Sequence, residues 1–230
     1  MKPYYQDELA TIYHADCRDV LPELSGIDLI ATDPPFFMPV LHYTSRNPWA
    51  KSWGDVAMLG AAFGAVLDLA VPIMNEGGNV VSFCDGASFA AFFPEFYRRF
   101  PVIRSLVWDK VHFGMGHQWR KQHELIIVGR MSTDAKWTGG HSLPDILRAK
   151  VVPSSARSHP VDKPVDLMMQ LVTATTDEDD LVLDPYMGGG STLVAAKKTG
   201  RRAIGIEIEE RYCELAVSRL GQGVMFEGVV

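Results

Sequence analysis

The sequence predicts a single α/β domain over residues 1–230, in which a sheet is covered by helices. Three observations support this fold class. Short apolar runs alternate with longer amphipathic stretches, which is typical of a layered α/β domain. The 230 residues are 47% hydrophobic and 22% charged, the composition of an ordinary globular protein. Glycine and proline clusters such as Gly77-Gly78 separate the runs, so the turns are also marked.

The individual elements follow from these patterns in chain order. Strands are expected at 12–15, 27–32, 79–84, 102–108, 124–129, 180–183 and 203–206, and helices at 57–75, 87–99, 164–175, 191–199 and 209–220. The helix at 87–99 is expected to be interrupted near Pro94. The strands at 102–108 and 124–129 are expected to form an antiparallel pair. Residues 130–160 have no sustained period, which predicts a loop or a small insert.

Several classes of protein are disfavoured. No apolar run approaches the roughly 20 residues of a membrane helix, and the first residues lack the apolar stretch of a signal peptide. The three cysteines are scattered and odd in number, which favours reduced thiols in the cytoplasm and shows no metal-ligand spacing. We therefore expect a cytoplasmic protein that binds neither a membrane nor a metal.

The charge of the chain is unevenly distributed. The formal net charge is −6, yet residues 98–163 hold 12 lysines and arginines against 5 aspartates and glutamates. Five of the seven histidines lie in the same stretch. A basic block inside an acidic chain can indicate a phosphate-binding surface. A solvated basic surface gives the same pattern.

A glycine-rich loop lies between the strand near 180–183 and the helix at 191–199. The segment 184–192 reads DPYMGGGST, and Glu207 ends the next predicted strand. Glycines let a backbone approach a ligand closely, and an acid at a neighbouring strand end can accept from ribose hydroxyls. The pattern suits a ribose-bearing cofactor, or else a simple tight turn. A nicotinamide dinucleotide is disfavoured because Leu193 occupies the third glycine position of its fingerprint.

A second motif, Asp33-Pro34-Pro35-Phe36, follows the strand at 27–32. Ligands of open α/β sheets collect at the carboxyl ends of strands. Two prolines stiffen the chain and remove two donors, which leaves the Asp33 carboxylate and the Pro34 carbonyl as acceptors beside an aromatic ring. Such a site matches a planar ring that carries an exocyclic amine. The alternative is a rigid turn whose aspartate caps a neighbouring element.

Together the two motifs resemble those of the S-adenosylmethionine-dependent DNA amino-methyltransferases, which methylate adenine N6 or cytosine N4. The order, with the catalytic motif first, looks like the beta class, and the match covers roughly residues 12–220. The resemblance implies a mostly parallel, seven-stranded, Rossmann-like sheet with helices on both faces. It also implies S-adenosyl-L-methionine as cofactor, double-stranded DNA as partner, a homodimer as a candidate assembly, and a bacterial or phage-infected cytoplasm.

The family also implies roles for individual residues. The catalytic residues would be Asp33, Pro34, Pro35 and Phe36. Asp16 would accept from the cofactor's adenine amine, Glu207 from its ribose, and Lys163 would lie near its carboxylate. The full cofactor-binding set would be Asp16, Cys17, His159, Lys163, Asp184, Pro185, Tyr186, Gly188, Gly190, Ser191, Thr192 and Glu207. The sequence departs from the family at Tyr186 and Gly189, where phenylalanine and serine are frequent.

The expected reaction sets the remaining assignments. A base inside a duplex cannot reach such a pocket, so the nucleotide must be flipped out. An aspartate at position 33 more often accompanies adenine in this family, with cytosine N4 as the alternative, and RNA or a protein amide as a rival acceptor. A catalytically silent DNA-binding subunit is the alternative from another class.

The basic block then supplies candidate DNA contacts. A short target-recognition insert is expected at about 111–158, with DNA contacts from Lys110, His112, His117, Trp119, Arg120 and Lys121. The alternative is that Trp108 belongs to a strand core and that Trp119 packs under a loop. Trp49, Lys51 and Trp53 are expected to form a flap over the base.

Overall fold

The computed structural model describes residues 1–35, 56–114, 118–140, 143–152 and 162–222. Within these ranges the strands are β1 (Tyr5–Gln6), β2 (Ala10–His14), β3 (Ile27–Thr32), β4 (Met74–Cys84), β5 (Val102–Asp109), β6 (His123–Arg130), β7 (Ile146–Arg148), β8 (Leu181–Asp184) and β9 (Arg202–Glu207). The helices are α1 (Cys17–Val20), α2 (Val56–Ala70), α3 (Gly86–Arg99), α4 (Val165–Thr175), α5 (Ser191–Lys198) and α6 (Glu210–Gln222).

All of these strands join one sheet in the order β1-β2-β9-β8-β3-β4-β6-β5-β7. β1 and β6 run antiparallel to their neighbours, and the other seven strands share one direction. The expectation of a mostly parallel sheet is therefore confirmed, whereas the expected count of seven is wrong for the described part of the chain. The additional strands are the short edge strands β1 and β7, whose two or three residues carry too little pattern to be recognised.

Helices cover both faces of the sheet. α2 and α3 pack on one face through a cluster that includes Leu59, Phe63, Phe92 and Phe96. α4, α5 and α6 cover the other face through a second cluster that includes Leu167, Leu193, Cys213 and Leu220. Successive residues of β3 contribute to opposite clusters, as expected for a strand buried on both faces.

One expectation about local structure is wrong. α3 continues through Pro94 without interruption, because Phe92 and Phe96 on either side are fully buried and hold both halves in the core. The expected insert at 111–158 contains the strand predicted at 124–129, which is β6 and pairs with both β4 and β5. The antiparallel pairing of 102–108 with 124–129 is confirmed.

The strand order reverses between β3 and β8. From β3 the chain crosses through α2 to β4 on one side, and from β8 it crosses through α5 to β9 on the other. In open α/β sheets, ligands bind outside the carboxyl ends of the strands at such a reversal. β3 is followed there by Asp33, and β8 ends in Asp184. The topology therefore brings the two sequence motifs to one place.

None of the helices in the described ranges combines the length and the apolar composition that a bilayer span requires.

Candidate active site

The expected catalytic bend, residues 33–35 of the described chain, begins with Asp33 immediately after β3. Its side chain is 19% exposed. Oδ2 accepts a hydrogen bond from Lys163 Nζ, while Oδ1 is buried and has no hydrogen-bond partner among the described residues. Burial raises the pKa of the Asp33 carboxyl to about 6, although the Lys163 ammonium opposes this shift. A buried acceptor without a partner is uncommon, and here it lies beside a cavity.

Lys163 belongs to a buried chain of alternating charges. Its side chain is 7% exposed. Its Nζ contacts Asp33 Oδ2 and lies 3.2 Å from Glu124 Oε2. Lys110 Nζ contacts the other oxygen of Glu124 at 2.5 Å. Burial acts to raise the pKa of Glu124, yet the two lysines hold it below its usual value. Burial likewise opposes protonation of Lys163, but the two carboxylates raise its pKa overall.

Asp184 links the catalytic bend to the glycine-rich loop. Its Oδ1 accepts from the Thr32 hydroxyl at 2.8 Å and from the Tyr186 amide at 3.1 Å, and its Oδ2 accepts from the Thr192 hydroxyl at 2.5 Å. Burial raises the pKa of Asp184 to about 6. Thr32 directly precedes Asp33, and Thr192 lies in the first turn of α5. The Asp184 carboxylate therefore connects the glycine-rich loop to the bend through hydrogen bonds.

The glycine-rich loop adopts a backbone conformation that favours glycine at two positions. Gly188 and Gly190 have φ values of 48° and 77°, in the left-handed region that favours glycine. A side chain at Gly190 would also come within 2.8 Å of Ala216 Cβ on α6. Glu207 Oε2 accepts from the Gly188 amide at 3.0 Å, and burial raises the pKa of this carboxyl. The acid at the end of β9 therefore holds the loop directly.

A cavity lies between the bend and the loop. Residues of both motifs contribute to its walls. Its complete lining is Thr32, Asp33, Phe83, Asp162, Lys163, Met168, Asp184, Tyr186, Met187, Gly188, Gly189, Ser191 and Thr192. Seven predicted site residues thus share one cavity.

Other predicted residues lie near this cavity but not in its lining. Asp16 caps α1 through the Arg18 amide and forms an ion pair with the Arg18 side chain, which lowers the pKa of Asp16. Asp16 therefore has a capping role in this structure. Cys17 is buried against Tyr186, and burial raises the pKa of its thiol to about 11. Pro34, Pro35, Pro185, Gly190 and Glu207 are also outside the lining.

The expected DNA contacts divide into two groups. Lys110 pairs with Glu124 and lies 5.0 Å over the Trp108 ring, so the structure assigns it to the buried chain rather than to a free phosphate contact. Trp108 is in the core, whereas Trp119 is 97% exposed. His112, Arg120 and Lys121 are exposed near it between β5 and β6. Arg120 lies 5.6 Å over the Phe113 ring.

Some predictions lie outside the described residues. These are the roles of Phe36, His117 and His159 and the flap formed by Trp49, Lys51 and Trp53.

Sequence patterns missed two charged residues of the site. Glu124 starts a predicted strand and carries no motif, and Arg219 lies near the end of the helix predicted at 209–220. Arg219 donates to the Gly189 carbonyl at 2.7 Å, to Ser191 Oγ at 3.2 Å and to Asp162 Oδ1 at 3.2 Å. A lone basic residue in the last turn of a helix has an ordinary dipole role, so no sequence signal separates the two functions.

The contacts of Arg219 lead to a testable expectation. Arg219→Ala should weaken S-adenosylmethionine binding about tenfold, because a charged hydrogen-bond donor that orders the glycine loop contributes about 1.5–3 kcal/mol. Calorimetric titration measures this change. Arg211→Ala is the matched control, since Arg211 lies on the same helix, is 66% exposed and pairs only with Glu209 among the described carboxylates. Equal affinities for both variants would show that Arg219 does not organise the loop.

Comparison with known proteins gives the family. A family profile described as DNA methylase matches residues 27–218. The chain belongs to the DNA methylase family. The DNA methylase match includes the catalytic bend, the buried charge chain and the glycine-rich loop. It confirms the resemblance to the S-adenosylmethionine-dependent DNA amino-methyltransferases.

This DNA methylase is similar in sequence to individual relatives and similar in fold to solved structures. The Type II methyltransferase M2.LlaDCHI of Lactococcus lactis subsp. cremoris is 25% identical over 259 residues, covering 98% of this chain and 94% of the relative. The structure of the M1.HpyAVI-SAM complex aligns with a TM-score of 0.72 at 23% identity, over 92% of this chain and 99% of that one. The PvuII DNA methyltransferase, described as cytosine-N4-specific, aligns with a TM-score of 0.74 at 18% identity, over 95% and 88%.

Proposed function

We propose that this DNA methylase transfers a methyl group from S-adenosylmethionine to the exocyclic N6 of a flipped-out adenine in double-stranded DNA. The observation that carries the proposal is the Asp33 carboxylate. One of its oxygens is held by Lys163, the other is buried and unpartnered among the described residues, and Asp33 is part of the cavity lining. An exocyclic amine donates two hydrogens and so supplies what this oxygen lacks.

The residues of the cavity lining, together with Glu207 outside it, fit the cofactor. When bound, S-adenosylmethionine supplies an electrophilic methyl group on its sulfonium. Glu207 has acceptor capacity beyond its bonds to the Gly188 and Glu209 amides, and so suits ribose hydroxyls. Asp162 and Asp184 border the cavity with negative charge, which suits a cationic ligand better than a pyrophosphate. The left-handed backbone at Gly188 leaves the loop open to close approach.

Asp33 also accounts for how an exocyclic amine with a delocalised lone pair could accept a methyl group. The lone pair of an exocyclic amine is delocalised into its ring, and positive charge develops on the nitrogen as the methyl group arrives. An acceptor on the amine hydrogens draws the lone pair away from the ring, and a fixed carboxylate stabilises the developing charge. The Pro34 carbonyl is the second acceptor expected from the motif. Alignment of the acceptor nitrogen with the donor supplies much of the remaining rate acceleration.

The surface beside the bend suits a DNA backbone. The segment between β5 and β6 starts at the same carboxyl edge of the sheet as Asp33 and exposes Trp119, Arg120 and Lys121. Cations contact phosphates, and an exposed indole can stack on bases. We place target recognition in this segment and in the residues between β6 and α4, within a single domain. A homodimer and a cytoplasmic location stay predictions.

The target base is the finer part of the proposal. Asp33 at the first position of the motif favours adenine, and the similarity to a cytosine-N4-specific structure keeps cytosine N4 as the second candidate. The test incubates the protein and labelled S-adenosylmethionine with unmethylated duplex DNA, RNA and protein in parallel. Digestion of the DNA to nucleosides and mass spectrometry then distinguishes N6-methyladenine from N4-methylcytosine. Label in RNA or protein alone, or in none of the three, would reject the proposal; the last result would favour the silent subunit.

Arg120 provides a test of the DNA surface. Arg120→Ala should weaken binding to all duplex sequences alike and should lower the slope of log K against log salt by about 0.9, the value for one lost phosphate contact. Fluorescence anisotropy at several salt concentrations measures both. Arg202→Ala is the control, because Arg202 is exposed at the amino end of β9, the opposite edge of the sheet. A loss confined to one sequence would make Arg120 a base reader instead.

The raised pKa of Asp33 predicts an acid limb in the rate profile. Because the carboxyl must be ionised to accept both the hydrogen bond and the charge, the single-turnover rate should fall as the pH decreases through about 6, and by about tenfold per unit below that. An unperturbed aspartate would place this limb near pH 4. Asp184 titrates in the same range, but its effect belongs to the cofactor loop, so saturating cofactor separates the two. A flat profile from pH 5 to 8 would contradict the assignment.

A further inference from the structure

We propose that Lys163, held by Glu124, is the positioning residue that fixes the orientation and charge of Asp33 for methyl transfer. The inference rests on the proposed function and goes beyond it by naming two residues that act through Asp33. Lys163 and Glu124 occupy the segment before α4 and the start of β6, so neither is part of the Asp-Pro-Pro-Phe motif.

The geometry assigns different tasks to the two oxygens of Asp33. Oδ2 is bonded to Lys163 Nζ, and Oδ1 is left without a partner among the described residues. A carboxylate held at only one oxygen by a rigid neighbour cannot rotate to exchange its oxygens without breaking an ion pair in a low-dielectric site. Lys163 therefore keeps the same oxygen directed away from itself and available as acceptor.

Lys163 is itself immobilised on several sides. Its Nζ lies 3.2 Å from Glu124 Oε2 and 5.0 Å and 6.0 Å from the ring centroids of Phe83 and Trp108. The Trp108 indole is fixed in turn by a 2.8 Å hydrogen bond to the Ala149 carbonyl. A lysine with a 7% exposed side chain between two aromatic faces and two carboxylates has little freedom to reorient.

The charge of each neighbouring residue also determines whether it raises or lowers the pKa of Asp33. The charged or titratable neighbours of Asp33 among the described residues are Lys163, Glu124, Lys110, Asp184 and Cys84. The two lysines favour the ionised form of Asp33, and Glu124 opposes it. Removing a lysine should raise the pKa of Asp33, whereas removing Glu124 should lower it. A residue with a purely structural role would not produce opposite shifts.

The experiment uses three variants of the full chain: Lys163→Met, Lys110→Met and Glu124→Gln. The first readout is the acid limb of the single-turnover rate. The second is the titration of the Asp33 carboxyl followed by carbon NMR, assigned by its loss in Asp33→Asn, which needs no activity. We expect Lys163→Met to move both to higher pH by at least one unit and to lower the rate at pH 7.5 more than tenfold. Lys110→Met should shift them less in the same direction, and Glu124→Gln should shift them to lower pH.

Controls keep the outcomes distinct. Arg104→Met removes an exposed positive charge from β5 outside the site and should leave the titration unchanged. If Lys163→Met does not fold, Lys110→Met and Glu124→Gln still give opposite signs, because Lys110 is closer to the surface. Shifts of one sign, or no shifts, overturn the positioning role and leave the proposed function intact. Opposite NMR shifts in a protein that does not methylate DNA would instead support the positioning role and reject the proposed function.

Discussion

Replacement of Asp33 by alanine is expected to lower the methyl-transfer rate by at least about 10²–10³-fold, the loss typical when one group that stabilises transition-state charge is removed. The variant removes a carboxylate of the cavity lining whose Oδ1 is buried and has no hydrogen-bond partner among the described residues. Single-turnover transfer from labelled S-adenosylmethionine to duplex DNA measures the rate. Cofactor affinity should change much less, because the glycine loop, Asp184 and Glu207 remain in place.

Two further variants test whether the charge of Asp33 is responsible for this loss. Asp33→Asn keeps one acceptor oxygen but removes the charge, so it should retain more activity than the alanine variant and should lose the acid limb near pH 6. Asp134→Asn, at an exposed position outside the site, should match the parent protein. An alanine variant within threefold of the parental rate would show that Asp33 does not act on the acceptor, and the proposed mechanism would fail.

Replacement of Asp184 by alanine should affect stability and cofactor binding together. It removes the acceptor for the Thr32 and Thr192 hydroxyls and for the Tyr186 amide. Each buried donor left without a partner costs about 1–3 kcal/mol, although the two hydroxyls can rotate to other acceptors. We expect the free energy of unfolding to fall by about 3 kcal/mol, which lowers the Tm by about 6–12 °C in a chain of this size. The affinity for S-adenosylmethionine should fall at least tenfold.

The conservative variants separate charge from hydrogen bonding at this position. Burial raises the pKa of Asp184 to about 6, so the ionised carboxyl is less favourable in the folded than in the unfolded chain. Its contribution to the free energy of unfolding therefore decreases as the pH rises from about 4 to about 6. Asp184→Asn should retain most of the parental Tm and lose this pH dependence. Thr32→Val, which removes one donor, should lower the Tm less than Asp184→Ala. An unchanged Tm and cofactor affinity in Asp184→Ala would contradict the linking role.

Much of the fold could be predicted because its signals are local. The strand at Ile27–Thr32 has the predicted bounds, since a mostly apolar run ends just before Asp33 and a proline pair. The helix that begins at Ser191 was also predicted, because a glycine loop precedes it and a glycine follows it. β7 was missed because three residues carry no period, and the continuity of α3 was missed because tertiary packing, not local propensity, keeps Pro94 in a helix.

The residues of the site also divide into those with local sequence signals and those whose roles depend on tertiary contacts. Asp33, Asp184 and the glycines are recognisable because their chemistry depends on contiguous motifs. The contacts of Lys163 with Asp33 and Glu124 join residues that are 130 and 39 positions apart in the chain, and only the sheet order brings them together. Asp16 has local signals for two roles, and its ion pair with Arg18 supports capping of α1. Long-range ion pairs leave no mark in a single sequence.

The adjacency of β3 and β8 has a consequence for how such proteins diversify. The bend and the glycine-rich loop extend from two strands joined by their own backbone hydrogen bonds, with Leu29 beside Val182 and Ile30 beside Leu183. Neighbouring strands lie about 4.8 Å apart whatever their side chains are. Under the proposed function, the peptide backbone would therefore set the spacing between the base-binding and donor-binding segments, and the surface segments proposed to contact DNA could vary without altering it.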